Sequence, residues 1–220
     1  MTDERACIYV FSLKDGRSAD RRLELAARHY LRASGRPCPG PFPGIRRTEQ
    51  GKPYFPGSGM PCFSITHSGD FWICVLFPAS IGIDLQKHTR KQGEAFPDAV
   101  RRFGRMAVRF FHPEEASWVT DPAKQAPSLS YRRFFDVWAA KESYVKYTGT
   151  GIDSRFGNFS TVSSPLPASP ASGAQVDPAL PFSWQAAGAW FCQVPFLNGC
   201  SLCLCTDRPA VPVLCLQFFS

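Results

Sequence analysis

The first third of the chain alternates short apolar runs with one amphipathic helical segment. Residues 19–33 carry an apolar stripe at helical spacing, and Ser18 before them is a residue type that caps helix starts. A Pro- and Gly-rich stretch at 35–44 predicts a loop. Runs of strand length and composition occupy residues 7–13, 62–66, 71–77 and 80–85.

The rest of the chain contains the longest predicted helix and a C-terminal group of strands. Residues 86–106 are charged and weakly patterned, which predicts a loop or a partly helical insert. Pro113 suits the first turn of a short helix, and a long helix follows that Ser130 caps and Gly149 ends. Residues 160–181 are rich in Ser, Pro and Ala, so we expect a surface excursion there. Strands are predicted at 190–194, 200–205 and 211–219.

This order of elements predicts an α+β protein with two lobes of similar size. Each half offers short strands, which we expect to form mainly antiparallel sheets, and one long helix. We place the boundary just before Gly82, which gives an N-terminal lobe at 1–81 and a C-terminal lobe at 82–220.

Composition narrows the class of protein. With 220 residues and 44% hydrophobic content, the chain has enough material for one good-sized core or two small ones. No apolar run is long enough to span a bilayer, and residues 1–13 lack the layout of a signal peptide, so we expect a cytoplasmic protein. The nine cysteines are then expected to be reduced, as core thiols. A net charge of +7 favours an acidic partner or polyanionic ligand, but no nucleic-acid-binding motif accompanies it.

Glu142 is the first candidate for chemistry. It lies four residues after Trp138 on one helical face that Phe134 and Val145 extend. A carboxylate on an aromatic face is costly to bury unless a cation or a metal ion pairs with it. The alternative is an ordinary surface ion pair between Glu142 and Lys146, which follows at the favourable i+4 position.

Asp84 and Gln86 form the second candidate group. In a strand they project from the same face, while Ile83 and Leu85 point to the other. Opposite Glu142 they would make an all-oxygen site of the kind that Mg²⁺ prefers. Taken alone, Asp84 is better explained as an ordinary strand-end or turn residue.

Three further residues are candidates for binding phosphate. Lys52 lies on the rigid turn Gly51-Lys52-Pro53, and Thr66 and His67 end a predicted strand. Each has an ordinary alternative, namely an exposed turn lysine or a structural histidine.

The motifs follow one another in a specific order. Gly51-Lys52-Pro53 is followed by residues 63–68, residues 82–86, Arg109-Phe110-Phe111 with Glu115, and finally residues 138–146. In this order they resemble the 4'-phosphopantetheinyl transferases of the surfactin-synthetase-activating (Sfp) type. The resemblance runs from about residue 21 to residue 158, and residues 138–146 are its most specific part.

The resemblance implies a fold, an activity and a set of roles. The fold would be a pseudo-dimer of two α+β lobes, and the chain would be a monomer. The activity would be transfer of the phosphopantetheine arm of coenzyme A to a serine of an acidic acyl or peptidyl carrier protein, with Mg²⁺ and with release of 3',5'-ADP. No nucleic acid or membrane would take part.

The implied roles fall on residues of this chain. Asp84, Gln86 and Glu142 would hold the metal, and Glu142 would also relay the proton of the attacking serine. Coenzyme A would contact six residues, with His67 at its 3'-phosphate and Lys146 at its pyrophosphate. These residues are Arg21, Lys52, Thr66, His67, Lys141 and Lys146. The family often has Glu where Gln86 stands, so a water could take that metal position instead.

Other classes of function remain open from the residues alone. A non-catalytic module could hold coenzyme A or an acidic partner in the same basic cleft, and the uncharged Gln86 points that way. A metal-dependent phosphohydrolase would need room for an activated water. A basic nucleic-acid binder is the weakest reading, since only the charge supports it.

Overall fold

A computed structural model provides the structure, which describes residues 5–121, 126–151, 154–162 and 182–218. Residues 163–181, most of the predicted Ser/Pro/Ala-rich excursion, lie outside the described part. In chain order the elements are β1 (Arg5–Ser12), α1 (Ala19–Ala33), β2 (Arg46–Arg47), β3 (Pro53–Tyr54), β4 (Cys62–Ser68), β5 (Phe71–Phe77), β6 (Ile81–Lys87), α2 (Phe96–Phe110), α3 (Pro113–Thr120), α4 (Pro127–Thr148), a 3₁₀ turn (Ser154–Gly157), β7 (Phe182–Ala186), β8 (Ala189–Val194), β9 (Cys200–Thr206) and β10 (Val211–Phe218).

The strands form two four-stranded sheets and one small hairpin, β2–β3. The first sheet has the order β10-β1-β5-β4, and the second has the order β6-β9-β8-β7. All pairs are antiparallel except β1 and β10, which run parallel. The α+β class and the mainly antiparallel sheets are therefore confirmed.

The two sheets pack face to face, and a long helix covers the outer face of each. Along β1, Ile8 and Val10 belong to the core between the sheets, whereas Tyr9 and Phe11 pack towards α1. Along β9, Leu204 belongs to the core between the sheets, whereas its neighbours on the opposite face pack towards α4. This alternation follows from the two-residue period of a strand, and it produces four layers in the order α1, first sheet, second sheet, α4.

Several predicted elements are confirmed at their ends. Helix α1 begins at Ala19, and Ser18 accepts a hydrogen bond from the Arg21 backbone N–H, as a cap should. Helix α4 ends at Gly149, whose φ of 77° is the left-handed conformation that glycine adopts without strain. Strand β10 is an edge strand, which suits Pro212 within it.

The structure differs from the expected elements in three ways. The stretch predicted as a loop or partly helical insert is partly helical, and it contains α2, a 15-residue helix, so the second half has more than one long helix. Helix α4 begins at Pro127 with Ala126 at its cap position, so Ser130 lies inside the helix and not at its start. Strand β10 pairs with β1, so the last strand returns to the first sheet across the boundary predicted before Gly82.

Within the described ranges, no helix combines the length and the apolar character needed to cross a membrane.

Candidate active site

Hydroxyl side chains of β4 join the edges of the two sheets. Ser64, Thr66 and Ser68 accept hydrogen bonds from alternate backbone N–H groups of β6, each at 3.1 Å. The donors are the N–H groups of Ile83, Leu85 and Lys87. The side chains thus take the place of strand carbonyls and hold β4 beside β6. Sequence reasoning did not predict this hydroxyl ladder, although hydroxyl residues at every second position of β4 were its signal.

A glycine in β6 lets α4 cross the strand at close range. A Cβ atom at Gly82 would overlap the Ser143 carbonyl oxygen and lie 2.5 Å from the Tyr147 nitrogen. Only glycine fits beneath the helix here. The close crossing places Glu142 and Lys146, one helical turn apart, beside Asp84.

Asp84 is nearly buried, with 4% of its surface exposed, and its two carboxylate oxygens have different partners. Oδ1 accepts a hydrogen bond from Thr66 Oγ1 at 3.0 Å and one from the Lys146 ammonium at 2.6 Å. Oδ2 accepts from Gln86 Nε2 at 2.7 Å. Lys146 also donates to the Ile83 carbonyl at 3.1 Å. The carboxylate is therefore held in one orientation by β4, β6 and α4 together.

Glu142 is the second carboxylate of this site. Burial raises the pKa of Glu142, and the nearby charge of Asp84 raises it further, while Lys146 and a hydrogen bond with the Trp138 side chain lower it. The Lys146 ammonium bonds to Asp84 and not to Glu142, so the simple surface pair between Glu142 and Lys146 is not what the structure shows. A buried carboxyl group whose pKa is raised by a neighbouring carboxylate marks a place where a further cation would be stabilising.

The donor set fits a divalent cation with few protein ligands. Mg²⁺ commonly takes one or two protein carboxylates and completes its octahedron with water and phosphate oxygens. Asp84 and Glu142 supply the two carboxylates, and the side-chain amide of Gln86 presents its N–H group to Asp84. Nowhere in the described part of the chain do three or more His, Cys, Asp or Glu side chains group as metal ligands. A metal here would therefore rely on two carboxylates and on oxygens from outside the protein.

Lys52 and Lys146 line one groove, and Lys146 connects it to Asp84. Gly51, Gly149 and Gly151 form part of its wall, so backbone is exposed there to a bound ligand. The Lys52 ammonium donates to the Tyr147 carbonyl at 2.5 Å and to Ser80 Oγ at 2.9 Å. Lys52 thus neutralises the C-terminal end of α4 and links it to the turn before β3.

Comparison with known proteins identifies the family. Residues 80–194, just over half of the chain, match the 4'-phosphopantetheinyl transferase superfamily. The chain belongs to this superfamily.

Curated relatives agree with this assignment. A 4'-phosphopantetheinyl transferase from Bacillus subtilis is 34% identical over 112 residues, which cover 51% of this chain and 44% of that protein. The 4'-phosphopantetheinyl transferase Sfp from Bacillus subtilis is 32% identical over 112 residues, with the same two coverages. A phosphopantetheinyl transferase from Thraustochytrium sp. is 32% identical over 115 residues, covering 49% of this chain and 38% of that protein. The resemblance to the Sfp type is confirmed, and the match spans less than half of each relative's length.

Lys141, which was predicted to contact coenzyme A, lies in the interior of the protein. Lys141 is fully buried and forms an ion pair with the equally buried Glu115 at 2.9 Å. Its ammonium also donates to the Phe159 carbonyl at 2.7 Å and lies 3.9 Å from the centre of the Phe159 ring. Glu115 in turn accepts from the backbone N–H and the hydroxyl of Thr161, both at 2.7 Å. Lys141 therefore holds α3, α4 and the segment after the 3₁₀ turn together, and it does not reach the groove.

The other predicted ligand residues lie on the N-terminal sheet and helix. His67 is exposed on β4, on the strand face opposite Thr66. Thr66 is 4% exposed and faces Asp84. Arg21 is exposed in the first turn of α1, pairs with Glu24 at 3.0 Å and lines a different depression together with Phe42. The structure therefore brings Asp84, Glu142, Lys146 and Thr66 together, and it places Arg21 beside other residues.

Proposed function

We propose that this chain transfers the 4'-phosphopantetheine arm of coenzyme A to a serine of an acyl or peptidyl carrier protein, converting apo carrier to holo carrier and releasing 3',5'-ADP. The observation that carries the proposal is the pair Asp84 and Glu142 beside Lys146, at a groove that Lys52 also lines. This arrangement suits attack on a pyrophosphate, which requires charge neutralisation and positioning more than covalent help from the protein.

The residues have separate roles in this proposal. Asp84 and Glu142 hold Mg²⁺, which when bound neutralises charge on the pyrophosphate of coenzyme A. Glu142 accepts the proton of the carrier serine, and its raised pKa brings it closer to the range in which general bases are efficient. Lys146 donates to the pyrophosphate oxygens, and His67 faces the 3'-phosphate.

The partner and the assembly are part of the same proposal. The segment 87–109 has seven Lys and Arg residues against two acidic residues, which is +5 of the net +7 of the whole chain. An acidic carrier protein would be attracted to this basic segment, which includes α2. We further propose that the two sheet-and-helix halves form a pseudo-dimer with coenzyme A between them, and that the chain acts as a cytoplasmic monomer.

A mass-spectrometric assay tests the transfer. The folded protein is incubated with coenzyme A, Mg²⁺ and apo carriers of fatty-acid, polyketide and nonribosomal-peptide type. We expect at least one carrier to gain the mass of the phosphopantetheine group, with one 3',5'-ADP released for each group transferred. A carrier whose target serine is changed to alanine is the control and should gain nothing. If the folded protein modifies none of the carriers, the proposal is wrong.

A non-catalytic coenzyme A-binding module is the second candidate. The observation that favours it is Gln86, whose amide donates to Asp84 and adds no negative charge to the site. In that case calorimetry would show tight binding of coenzyme A while the carrier assay shows no transfer. Turnover of any carrier would eliminate this candidate.

A further inference from the structure

Both hydrogen-bonding functions of the Thr66 hydroxyl are used inside the protein. The hydroxyl donates its proton to Asp84 Oδ1 at 3.0 Å and accepts from the Leu85 N–H at 3.1 Å. A hydroxyl has a single proton to donate, and Thr66 is only 4% exposed. The hydroxyl is therefore not available to a phosphate of coenzyme A, although the family resemblance implies that role.

Thr66 differs from the two other members of the hydroxyl ladder. Ser64 and Ser68 accept the same kind of hydrogen bond from β6, at the same 3.1 Å. Among the contacts that the structure describes, Thr66 is the ladder residue that also donates to a carboxylate of the site. Its role thus combines joining the two strands with orienting Asp84.

We propose that Thr66 is a positioning residue that orients the Asp84 carboxylate for a divalent cation, and that it does not bind coenzyme A. The inference rests on the proposed function for the identity of the ligand. A hydrogen bond from a buried hydroxyl fixes one carboxylate oxygen and therefore the direction in which the remaining lone pairs point. Such outer-shell bonds set metal affinity, and their loss typically weakens binding by about 10–100-fold.

The alternation of β4 separates this role from coenzyme A binding. His67 follows Thr66 directly, and its side chain lies on the other face of the strand, where it is exposed. Loss of the Thr66 hydroxyl should therefore weaken metal binding and leave coenzyme A binding intact. Loss of the His67 imidazole should have the opposite effect.

The test measures metal and coenzyme A separately on the folded full chain. Binding of Mn²⁺, which replaces Mg²⁺ as a probe, is followed by electron paramagnetic resonance without coenzyme A. Binding of coenzyme A is followed by calorimetry without metal. We expect Thr66→Val to bind Mn²⁺ roughly 10–100-fold more weakly than the wild type and to bind coenzyme A equally well. Thr66→Ser keeps the hydroxyl and should restore Mn²⁺ binding.

Ser64→Ala is the matched control. It removes a buried hydroxyl that accepts the same ladder hydrogen bond but does not contact Asp84 in the described structure. We expect it to lower thermal stability about as much as Thr66→Val and to leave Mn²⁺ affinity within about twofold of the wild type. If Thr66→Val does not fold, Thr66→Ala takes its place against the same control.

Three results would overturn the inference. Thr66→Val could bind Mn²⁺ normally and lose coenzyme A, which would make Thr66 a phosphate ligand. Ser64→Ala could weaken Mn²⁺ binding as much as Thr66→Val, which would reduce the effect to general loss of structure. The wild type could bind no Mn²⁺, which would leave no metal site to orient. Failure of the proposed function is distinguishable, because it would appear as unmodified carriers with Mn²⁺ binding intact.

Discussion

Glu142 illustrates how one carboxylate can serve chemistry while opposing stability. Burial and the neighbouring Asp84 raise its pKa in the folded protein. The folded state therefore binds the Glu142 proton more tightly than the unfolded state does. As the pH rises through the usual carboxyl range the proton is lost, and the charged form costs the folded state free energy.

The first prediction concerns Glu142→Gln. We expect the transfer rate to fall by about 100-fold or more, because Glu142 is both a proposed metal ligand and the proposed base. We also expect the melting temperature to rise at pH 7.5, where the wild-type carboxylate is charged, and to change little near pH 4, where it is protonated. Calorimetric melting at the two pH values measures the difference. A lower melting temperature at pH 7.5 would contradict the assignment.

Glu24→Gln is a control for which the melting temperature at pH 7.5 should change in the opposite direction. Hydrogen bonds from Arg28 and Arg21 lower the pKa of Glu24, so its ionised form favours the folded state. The contribution is present above the usual carboxyl range and is lost as the pH falls. Glu24→Gln should therefore lower the melting temperature at pH 7.5 and have less effect near pH 4.

The second prediction concerns Lys146, which bonds to the carboxylate oxygen that a metal would need. Its ammonium lies 2.6 Å from Asp84 Oδ1, so a cation must displace it before it can bind there. Lys146→Met should raise the affinity of the free protein for Mn²⁺ several-fold and yet lower the rate of transfer, because the proposed donor to the pyrophosphate is gone. Lys87→Met, which changes an exposed lysine of the same strand, should change neither when the carrier is saturating. Weaker Mn²⁺ binding by Lys146→Met would contradict this account.

At the scale of elements, the crossing of α4 over β6 creates the site. Gly82→Ala would place a methyl group into the Ser143 carbonyl oxygen, so helix and strand must separate. We expect a loss of about 3 kcal/mol or more in the free energy of unfolding, together with loss of transfer. Gly104→Ala is the control in α2, where a new Cβ would lie 3.5 Å from the Thr120 methyl group and should be tolerated. Urea unfolding measures the free energy of unfolding of both variants. Equal losses in Gly82→Ala and Gly104→Ala would contradict the importance of the close crossing.

The buried pair Glu115–Lys141 tests a structural role against a ligand-binding one. Lys141→Met leaves the fully buried Glu115 without its counter-charge, which should cost about 3–5 kcal/mol. Glu115→Gln combined with Lys141→Met removes both charges and should recover much of that stability and of the transfer rate. Lys14→Met breaks an exposed pair with Asp70 and should cost less than about 1 kcal/mol. A stable double variant that no longer binds coenzyme A would instead make Lys141 a ligand.

The helices show which elements could be predicted from the sequence. Helix α1 was predicted with its observed ends, because a stripe of apolar residues and a capping serine are both local signals. Helix α2 was predicted only as part of a loop or partly helical insert, although Ala99, Phe103 and Ala107 form a buried stripe at helical spacing among its many arginines. This stripe packs on α4, with the ring centres of Phe103 and Phe134 4.5 Å apart.

The site was predictable in its residue types and less so in its geometry. Asp84 and Glu142 were predicted to share a metal ion, because a carboxylate in an apolar setting needs a cation. The burial of Lys141 could have been anticipated, since adjacent residues on a helix point about 100° apart and Lys141 cannot share the face of Glu142. The contact between Thr66 and Asp84 could not have been predicted from the sequence, because it depends on how the edges of two separate sheets meet.

At the scale of the whole molecule, the packing of the four layers leaves a concentration of basic side chains on the surface. The apolar core lies between the sheets, beneath α1 and α4, and where α2 packs on α4, so most of the lysine and arginine side chains of the segment 87–109 are left on the surface. Arg105 and Arg109 are exposed on α2, next to the exposed Val108. A concentration of one sign of charge affects the rate at which an oppositely charged partner associates more than the strength of the final contacts.

This leads to a prediction about salt. Raising the ionic strength from about 0.05 to 0.5 M shortens the screening length from above 10 Å to below 5 Å, so attraction at a distance is largely lost. We expect the KM for an acidic carrier to rise by roughly tenfold over this range, while kcat changes little. Steady-state kinetics at constant Mg²⁺ and saturating coenzyme A measure both constants.

Variants that replace arginine by glutamine test which part of the surface causes the salt dependence of the KM. Arg105→Gln with Arg109→Gln should raise the KM for the carrier at low salt and flatten its salt dependence, because these side chains would no longer attract the carrier. Arg32→Gln changes an exposed arginine of α1 and should leave the salt dependence as it is in the wild type. If Arg32→Gln had the same effect as the α2 variant, the net charge of the chain and not its distribution would attract the carrier. A KM that does not respond to salt would mean that apolar contacts, with Val108 as one candidate, dominate recognition of the carrier.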